Sequence, residues 1–175
     1  WRRHTVRRRF GPEYDRLADE AGPRHAREEL TRRARAARQL DIRPLSQRQR
    51  EEYGRRWIAA QERFIDRPEE ATRTAEALVT TVAGDLGYTT DDEEKLFTEL
   101  SVEHARALDR YRHGKEASGQ MLAAEAPAQP TEVLRQSLLE YRVLFRELLV
   151  EANDGAASPP APAESGRVTA DATKE

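Results

Sequence analysis

A histidine beside a carboxylate is the first place to look for chemistry in this sequence, and it occurs at Glu103-His104. Such a pair can bind a metal ion or transfer a proton only if both side chains point to the same place. Neighbouring residues on a helix point about 100° apart and do not face each other. The chain contains neither the H-E-x-x-H zinc motif nor the E-x-x-H motif of di-iron bundles. We therefore assign no catalytic residue and no metal, and we expect His104 to bond the start of a helix.

Four consecutive acids, Asp91-Asp92-Glu93-Glu94, have the composition of a calcium site but not its spacing. An EF-hand loop needs alternating ligands, a central glycine and a glutamate at its twelfth position. Acidic residues also favour the first turn of a helix, and Thr89 or Thr90 could cap one here. The chain has no cysteine, which excludes disulfides, thiolate catalysis and Cys-ligated clusters. The acids therefore predict a helix start, and no cofactor is assigned.

A pocket between helices is the remaining route to ligand binding or catalysis, because helical bundles often provide one. Gln61 motivates it, since it lies on an otherwise apolar stripe and a buried amide needs hydrogen-bond partners. A bond from Gln61 to a neighbouring loop backbone would explain the same pattern. The candidate pocket residues are Trp57, Gln61, Tyr88, His104, Tyr111 and Tyr141.

The segment 41–88 must position three of these residues, namely Trp57, Gln61 and Tyr88. Ser46 and Gln49 form a capping box that starts a helix with an apolar stripe. The stripe consists of Tyr53, Trp57, Ala60, Phe64 and Ile65, and we expect that face to be buried. Asp66-Arg67-Pro68 should end this helix and begin a second one near Pro68, which closes at Gly84 or Gly87.

Further helical patterns predict an all-α fold, a small bundle of about five to six helices. Gly11-Pro12 and Gly22-Pro23 divide the first 40 residues, a fresh cap is predicted at Ser101, and residues 132–151 carry the longest apolar stripe. The stretch 115–130 reads as a loop or a frayed helix. Three regions follow from this reading: a basic juxtamembrane or linker segment (1–9), a helical domain (10–152) and a disordered Ala/Pro-rich tail (153–175).

Charge is distributed unevenly along the chain. Residues 1–66 hold 18 Arg and 11 acidic residues, whereas the remainder holds 12 basic and 21 acidic residues. The basic bias is strongest at the start, in Trp1, Arg2, Arg3, Arg7, Arg8 and Arg9. Tryptophan at a lipid interface followed by arginines is typical of the cytoplasmic side of a membrane span, so we expect a span upstream of Trp1. A disordered basic end and a nucleic-acid arm are the alternatives, although the arm lacks interleaved aromatic residues.

Several motifs together resemble an uncharacterised bacterial family with one N-terminal transmembrane helix, an Arg-rich junction and a helical domain. The resemblance covers roughly residues 7–150 and departs at Thr89–Leu96 and in the longer Lys115–Pro130 connection. It implies inner-membrane association with the domain on the cytoplasmic side, and it implies no activity. The motifs are FGPEYD from Phe10, LDIRPLS from Leu40, LSVEH from Leu100 and YRxLFxELL from Tyr141.

Three functions remain open from the sequence. The first is a non-enzymatic, membrane-tethered helical module that binds a protein partner. The second is a small-ligand carrier or enzyme with the pocket described above. The third, for which the basic half alone is weak support, is nucleic-acid binding.

Overall fold

The structure is a computed structural model that describes residues 2–123 and 130–154, with side chains from 10 to 123 and from 130 to 150. These residues form six helices and no strand, which confirms the all-α prediction. No helix in this described part of the chain is both long enough and apolar enough to span a membrane. The helices are α1 Arg2–Ala37, α2 Gln47–Arg63, α3 Pro68–Leu86, α4 Glu93–Leu100, α5 Ala105–Ala123 and α6 Pro130–Asp154.

The first helix is interrupted twice, at the two Gly-Pro steps. Gly11 has φ 41° and Gly22 has φ 87°, values that suit glycine, and Pro12 and Pro23 then begin new helical turns. Residues 2–9, predicted as a basic juxtamembrane or linker segment, have helical backbone. As a result α1 consists of three helical segments, the first before Gly11, the second between Gly11 and Gly22, and the third after Gly22.

Two apolar clusters hold the helices together. The larger one joins α2, α3, α5 and α6 around Trp57, which stacks on Phe145 with ring centroids 4.5 Å apart. The smaller one packs α1 against the α4–α5 turn and contains Phe10, Leu17, Ala26, Leu30 and Val102.

The start of α2 follows the sequence prediction. Ser46 accepts a hydrogen bond from the Gln49 backbone, and the Gln49 side chain accepts one from the Ser46 backbone. The predicted burial of Ile65 is wrong, since α2 ends at Arg63 and Ile65 lies in the following turn with 85% of its surface exposed. The buried stripe therefore ends at Phe64, which is half-buried.

The capping box yields a stability prediction. Ser46→Ala removes the cap acceptor and should lower the free energy of unfolding by about 1 kcal/mol, measured by urea denaturation. Ser46→Asp, which keeps an acceptor at the cap, is the matched control and should retain most of the stability. Equal losses in the two variants would show that the cap bond contributes little.

The later helix boundaries differ from the predictions in three places. Asp92, rather than Thr89 or Thr90, caps α4 because its carboxylate accepts from the Lys95 backbone. Ser101 does not begin a helix but lies in the turn before α5, where its hydroxyl donates to the Thr98 carbonyl. Helix α5 continues to Ala123, so the stretch predicted as a loop or a frayed helix is helical up to that residue, and residues 124–129 lie outside the described part of the chain.

At the other end, α6 reaches Asp154, beyond the predicted boundary at 152. The predicted disordered tail otherwise lies outside the described residues.

Candidate functional site

The six predicted pocket residues do not line one cavity. Tyr111 and Tyr141 contact each other with ring centroids 5.0 Å apart, and the Tyr141 hydroxyl lies 2.8 Å from Ser118 Oγ. Trp57 belongs to the α2–α6 stack, and Gln61 is half-buried beside it on α2. Tyr88 lies at a separate cleft of about 210 Å³ between the end of α1 and the α3–α4 connection.

The two contacting tyrosines are buried core residues whose hydroxyl groups have raised pKa values. Burial raises the pKa of Tyr111 and raises the pKa of Tyr141 to about 12. Both hydroxyls therefore stay neutral near pH 7, which leaves them as hydrogen-bond partners inside the core.

His104 contacts a residue that lies 43 positions further along the sequence. Its Nδ1 lies 3.0 Å from the Glu147 carboxylate on α6, and its side chain is buried. Glu103, its neighbour in sequence, is exposed. The pair joins the start of α5 to the end of α6. No group of three or more metal-binding side chains occurs among residues 10–123 and 130–150.

A cluster of buried charge lies elsewhere in the described part of the chain, around the Glu13 carboxylate in the second segment of α1. Glu13 is only 2% exposed. It accepts hydrogen bonds from Arg16 Nη2 at 2.7 Å, Arg33 Nη1 at 2.7 Å and Arg112 Nη1 at 2.5 Å. We refer to Glu13, Arg16, Arg33 and Arg112 as the Glu13 cluster.

The cluster joins three parts of the molecule that are distant in sequence. Arg33 comes from the third segment of α1 and is 9% exposed, and Arg112 comes from α5. Arg33 Nη1 also lies 3.3 Å from Ser101 Oγ, and Arg33 Nε donates to Glu29 at 2.7 Å. The cluster therefore fastens both long segments of α1 to the α4–α5 turn and to α5.

The electrostatics of Glu13 reflect a balance of two effects. Burial alone would raise its pKa, but the hydrogen bonds and positive charges of Arg16 and Arg112 outweigh burial and lower the pKa to about 2. Glu13 is therefore ionised at neutral pH and does not serve as a proton donor there.

A cleft of about 330 Å³ opens beside this cluster. The arginines that line it come from α1 and α5, whereas Glu93, Glu94, Phe97 and Thr98 all come from α4. The cleft thus has a positive side and a negative side. Its lining residues are Arg16, Arg33, Glu93, Glu94, Phe97, Thr98 and Arg112.

The sequence motifs converge around this region. Phe10 and Val102 share the smaller apolar cluster, Glu13 binds Arg112, and His104 binds Glu147. The LSVEH segment thus contacts the FGPEYD segment through Val102 and the YRxLFxELL segment through His104. Comparison of the chain with family models, with curated proteins and with solved structures finds no match. The cleft beside the Glu13 cluster is the candidate site on the strength of its own geometry.

Proposed function

We propose that the chain is a non-enzymatic helical module, tethered to the inner membrane by a segment upstream of Trp1 and placed on the cytoplasmic side, where it binds a protein partner. The single observation that carries the binding proposal is the exposed apolar flank of α2. The basic residues Arg2 to Arg9 support the tether, because arginines next to a span favour the cytoplasmic side.

The Glu13 cluster supports the tethered arrangement. The basic segment 2–9 is the first part of α1, and the cluster fixes the next two parts of α1 to α5 through three arginines. The basic stretch precedes the break at Gly11 and therefore leads directly into the part of α1 that the cluster fixes to the domain.

The α2 flank consists of Ile58, which is 55% exposed, and Ile65, which lies seven residues further on in the turn that follows α2 and is 85% exposed. Gly54 precedes Ile58 by one turn, and a Cβ atom placed there would meet nothing within 4 Å. Exposed apolar residues at such spacing, beside a position without a side chain, allow a second helix to approach closely. Glu51, Arg55 and Glu62 are exposed on the same side of α2. The occupant we propose is therefore an amphipathic partner helix with Arg or Lys opposite the two glutamates and an acid opposite Arg55.

Site-specific photo-crosslinking tests this contact. The photoreactive p-benzoyl-phenylalanine at position 58 of the full-length protein, expressed in its own host, should give one adduct of defined mass. The same probe at exposed Thr74 on α3 is the matched control and should give none. Adding Ile65→Glu to the position-58 protein should abolish the adduct. An adduct that persists with Ile65→Glu, or that forms equally from position 74, would contradict the proposal.

The orientation of the chain relative to the membrane needs a separate experiment. Reporter fusions to the C-terminal end of the full-length protein should be active only in the cytoplasm. Activity only outside the cytoplasm would overturn the tether orientation while leaving the α2 contact untouched.

A further inference from the structure

Arg112 lines the cleft, and one side of its guanidinium group makes no hydrogen bond among the described residues. Its Nη1 donates to Glu13, and among the described residues neither Nε nor Nη2 makes a hydrogen bond. The Nε and Nη2 groups of arginine form the fork that binds a carboxylate through two parallel bonds. Three other arginines in this chain bind a glutamate through the same two groups. The pairs are Arg110 with Glu140, Arg32 with Glu29, and Arg135 with Glu132.

The fork of Arg112 is held in place before any ligand arrives. The bond to buried Glu13 fixes one end of the guanidinium, and its central carbon lies 5.1 Å from the centre of the Phe97 ring. The side chain is 23% exposed, so the free edge remains accessible. A group that is already ordered loses little conformational entropy on binding, which distinguishes Arg112 from the free arginines of the surface.

The charges that line the cleft restrict the chemistry of the ligand. Three arginines share the carboxylate of Glu13, but Arg16 also bonds Glu20 and Arg33 also bonds Glu29. Arg112 bonds Glu13 alone among the described residues, so it is the arginine of this cluster that attracts an anion. Glu93 and Glu94 line the cleft from α4, and Lys115, which is not one of its lining residues, bonds Glu93. These two acids would repel a second negative charge on the ligand and attract a positive one.

We propose that this cleft binds a small zwitterion, with its carboxylate on the Nε/Nη2 fork of Arg112 and its ammonium group at Glu94. A cleft of about 330 Å³ has room for a molecule of this size. This site is independent of the α2 flank, and either one could be absent while the other exists.

Titration of the folded domain, followed by amide NMR, tests the proposal with a matched set of four-carbon probes. γ-Aminobutyrate carries both charges, butyrate only the carboxylate, butylammonium only the cation, and succinate two carboxylates. We expect γ-aminobutyrate to bind with a Kd on the order of 1 mM and to shift amides near Phe97, Thr98 and Arg112. The other three probes should bind at least about tenfold more weakly. Glycine and aminohexanoate, titrated alongside, test whether shorter or longer spacings between the two charges fit better.

Two variants identify the residues involved. Arg112→Lys keeps the charge but removes the fork, and should weaken binding of the best zwitterion about tenfold. Arg110→Lys, whose fork binds Glu140 on α6, is the matched control and should leave binding unchanged.

A second test avoids the Glu13 cluster, so it remains informative if Arg112→Lys fails to fold. Glu94→Lys changes an exposed residue and should invert the preference, so that succinate binds more tightly than γ-aminobutyrate. The proposal is overturned if no zwitterion binds in the millimolar range, if succinate binds the unaltered chain best, or if Glu94→Lys leaves the order of probes unchanged.

Discussion

Replacement of Glu13 by glutamine should lower the free energy of unfolding by about 3–5 kcal/mol, measured by urea denaturation with circular dichroism. Glutamine has nearly the same shape, so the change removes the charge and little packing volume. It removes the carboxylate that three guanidinium groups share. Arg33 and Arg16 keep their bonds to Glu29 and Glu20, whereas Arg112, whose side chain is 23% exposed, loses its charged partner. A buried charge that loses its partner is among the most destabilising single changes in proteins.

The control for this change is Glu20→Gln. Glu20 also bonds Arg16, at 2.5 Å, but it is exposed, and the expected change is within about 0.5 kcal/mol. Equal effects at the two positions would mean that the Glu13 cluster contributes no more than a surface ion pair.

Glu13 also predicts a pH dependence. Its pKa of about 2 in the folded chain lies below the ordinary value of 4.5, so the ionised form stabilises the fold. This contribution is complete above about pH 4.5 and is lost as the pH falls from 4.5 through 2, and it amounts to about 3 kcal/mol. Glu13→Gln should therefore flatten the acid limb of the stability curve. Some acid sensitivity should remain, because bonds from Arg32 and Arg33 also lower the pKa of Glu29 to about 2.

The second large effect is expected at Gly87, which ends α3. Its φ is 106°, and an added Cβ atom would lie 2.5 Å from the backbone oxygen of Asp41. The backbone on both sides is fixed, since Arg43 N–H donates to the Leu86 carbonyl at 2.9 Å. Gly87→Ala should therefore lower the free energy of unfolding by about 3 kcal/mol or more, through left-handed strain together with the clash.

The matched substitution is Gly54→Ala in the middle of α2. The site is helical and open, so alanine should stabilise the protein by about 0.5–1 kcal/mol. Opposite signs at the two glycines, seen as opposite shifts in Tm, are the expected outcome. A loss below about 1 kcal/mol at Gly87 would show that the 40–43 segment can move away.

The sequence predicts helix boundaries well where local chemistry alone decides them. The capping box at Ser46, the helix start at Pro68 and the two Gly-Pro breaks in α1 depend only on neighbouring residues, and the structure confirms them. The cap of α4 is less determined because Thr89, Thr90 and Asp92 are all good caps. Thr89 instead bonds Glu99 through its backbone N–H at 2.8 Å and through its hydroxyl at 3.0 Å, a contact between residues ten apart.

The candidate site was harder to predict, although the sequence carries a signal for it. Glu13 follows Phe10 by three residues and precedes Leu17 by four, which places it on an apolar helix face. Arg33 follows Leu30 by three, and Arg112 follows Leu108 by four. A lone acid and two arginines on buried faces suggest a buried ion cluster. Periodicity alone does not say that these three faces meet, because that depends on how α1 packs against α5.

The sequence offers large polar or aromatic residues on helical stripes as pocket candidates, and five of them are Trp57, Tyr88, His104, Tyr111 and Tyr141. The same features make good packing groups, and all five are buried. Aromatic spacing therefore identifies the centre of this bundle more reliably than it identifies a cleft.

Trp57 gives the domain an internal optical reporter. Its ring lies against Phe145, and its Nε1 is buried without a hydrogen-bond partner among the described residues. An indole in such dry surroundings emits at short wavelength, and its emission moves to the red when water enters. The other tryptophan is Trp1, so Trp1→Phe would isolate the signal from α2 and α6. The described members of the smaller apolar cluster, which packs α1 against the rest of the domain, include no tryptophan. Loosening of α1 should therefore leave the emission wavelength of Trp57 unchanged until the larger apolar cluster opens.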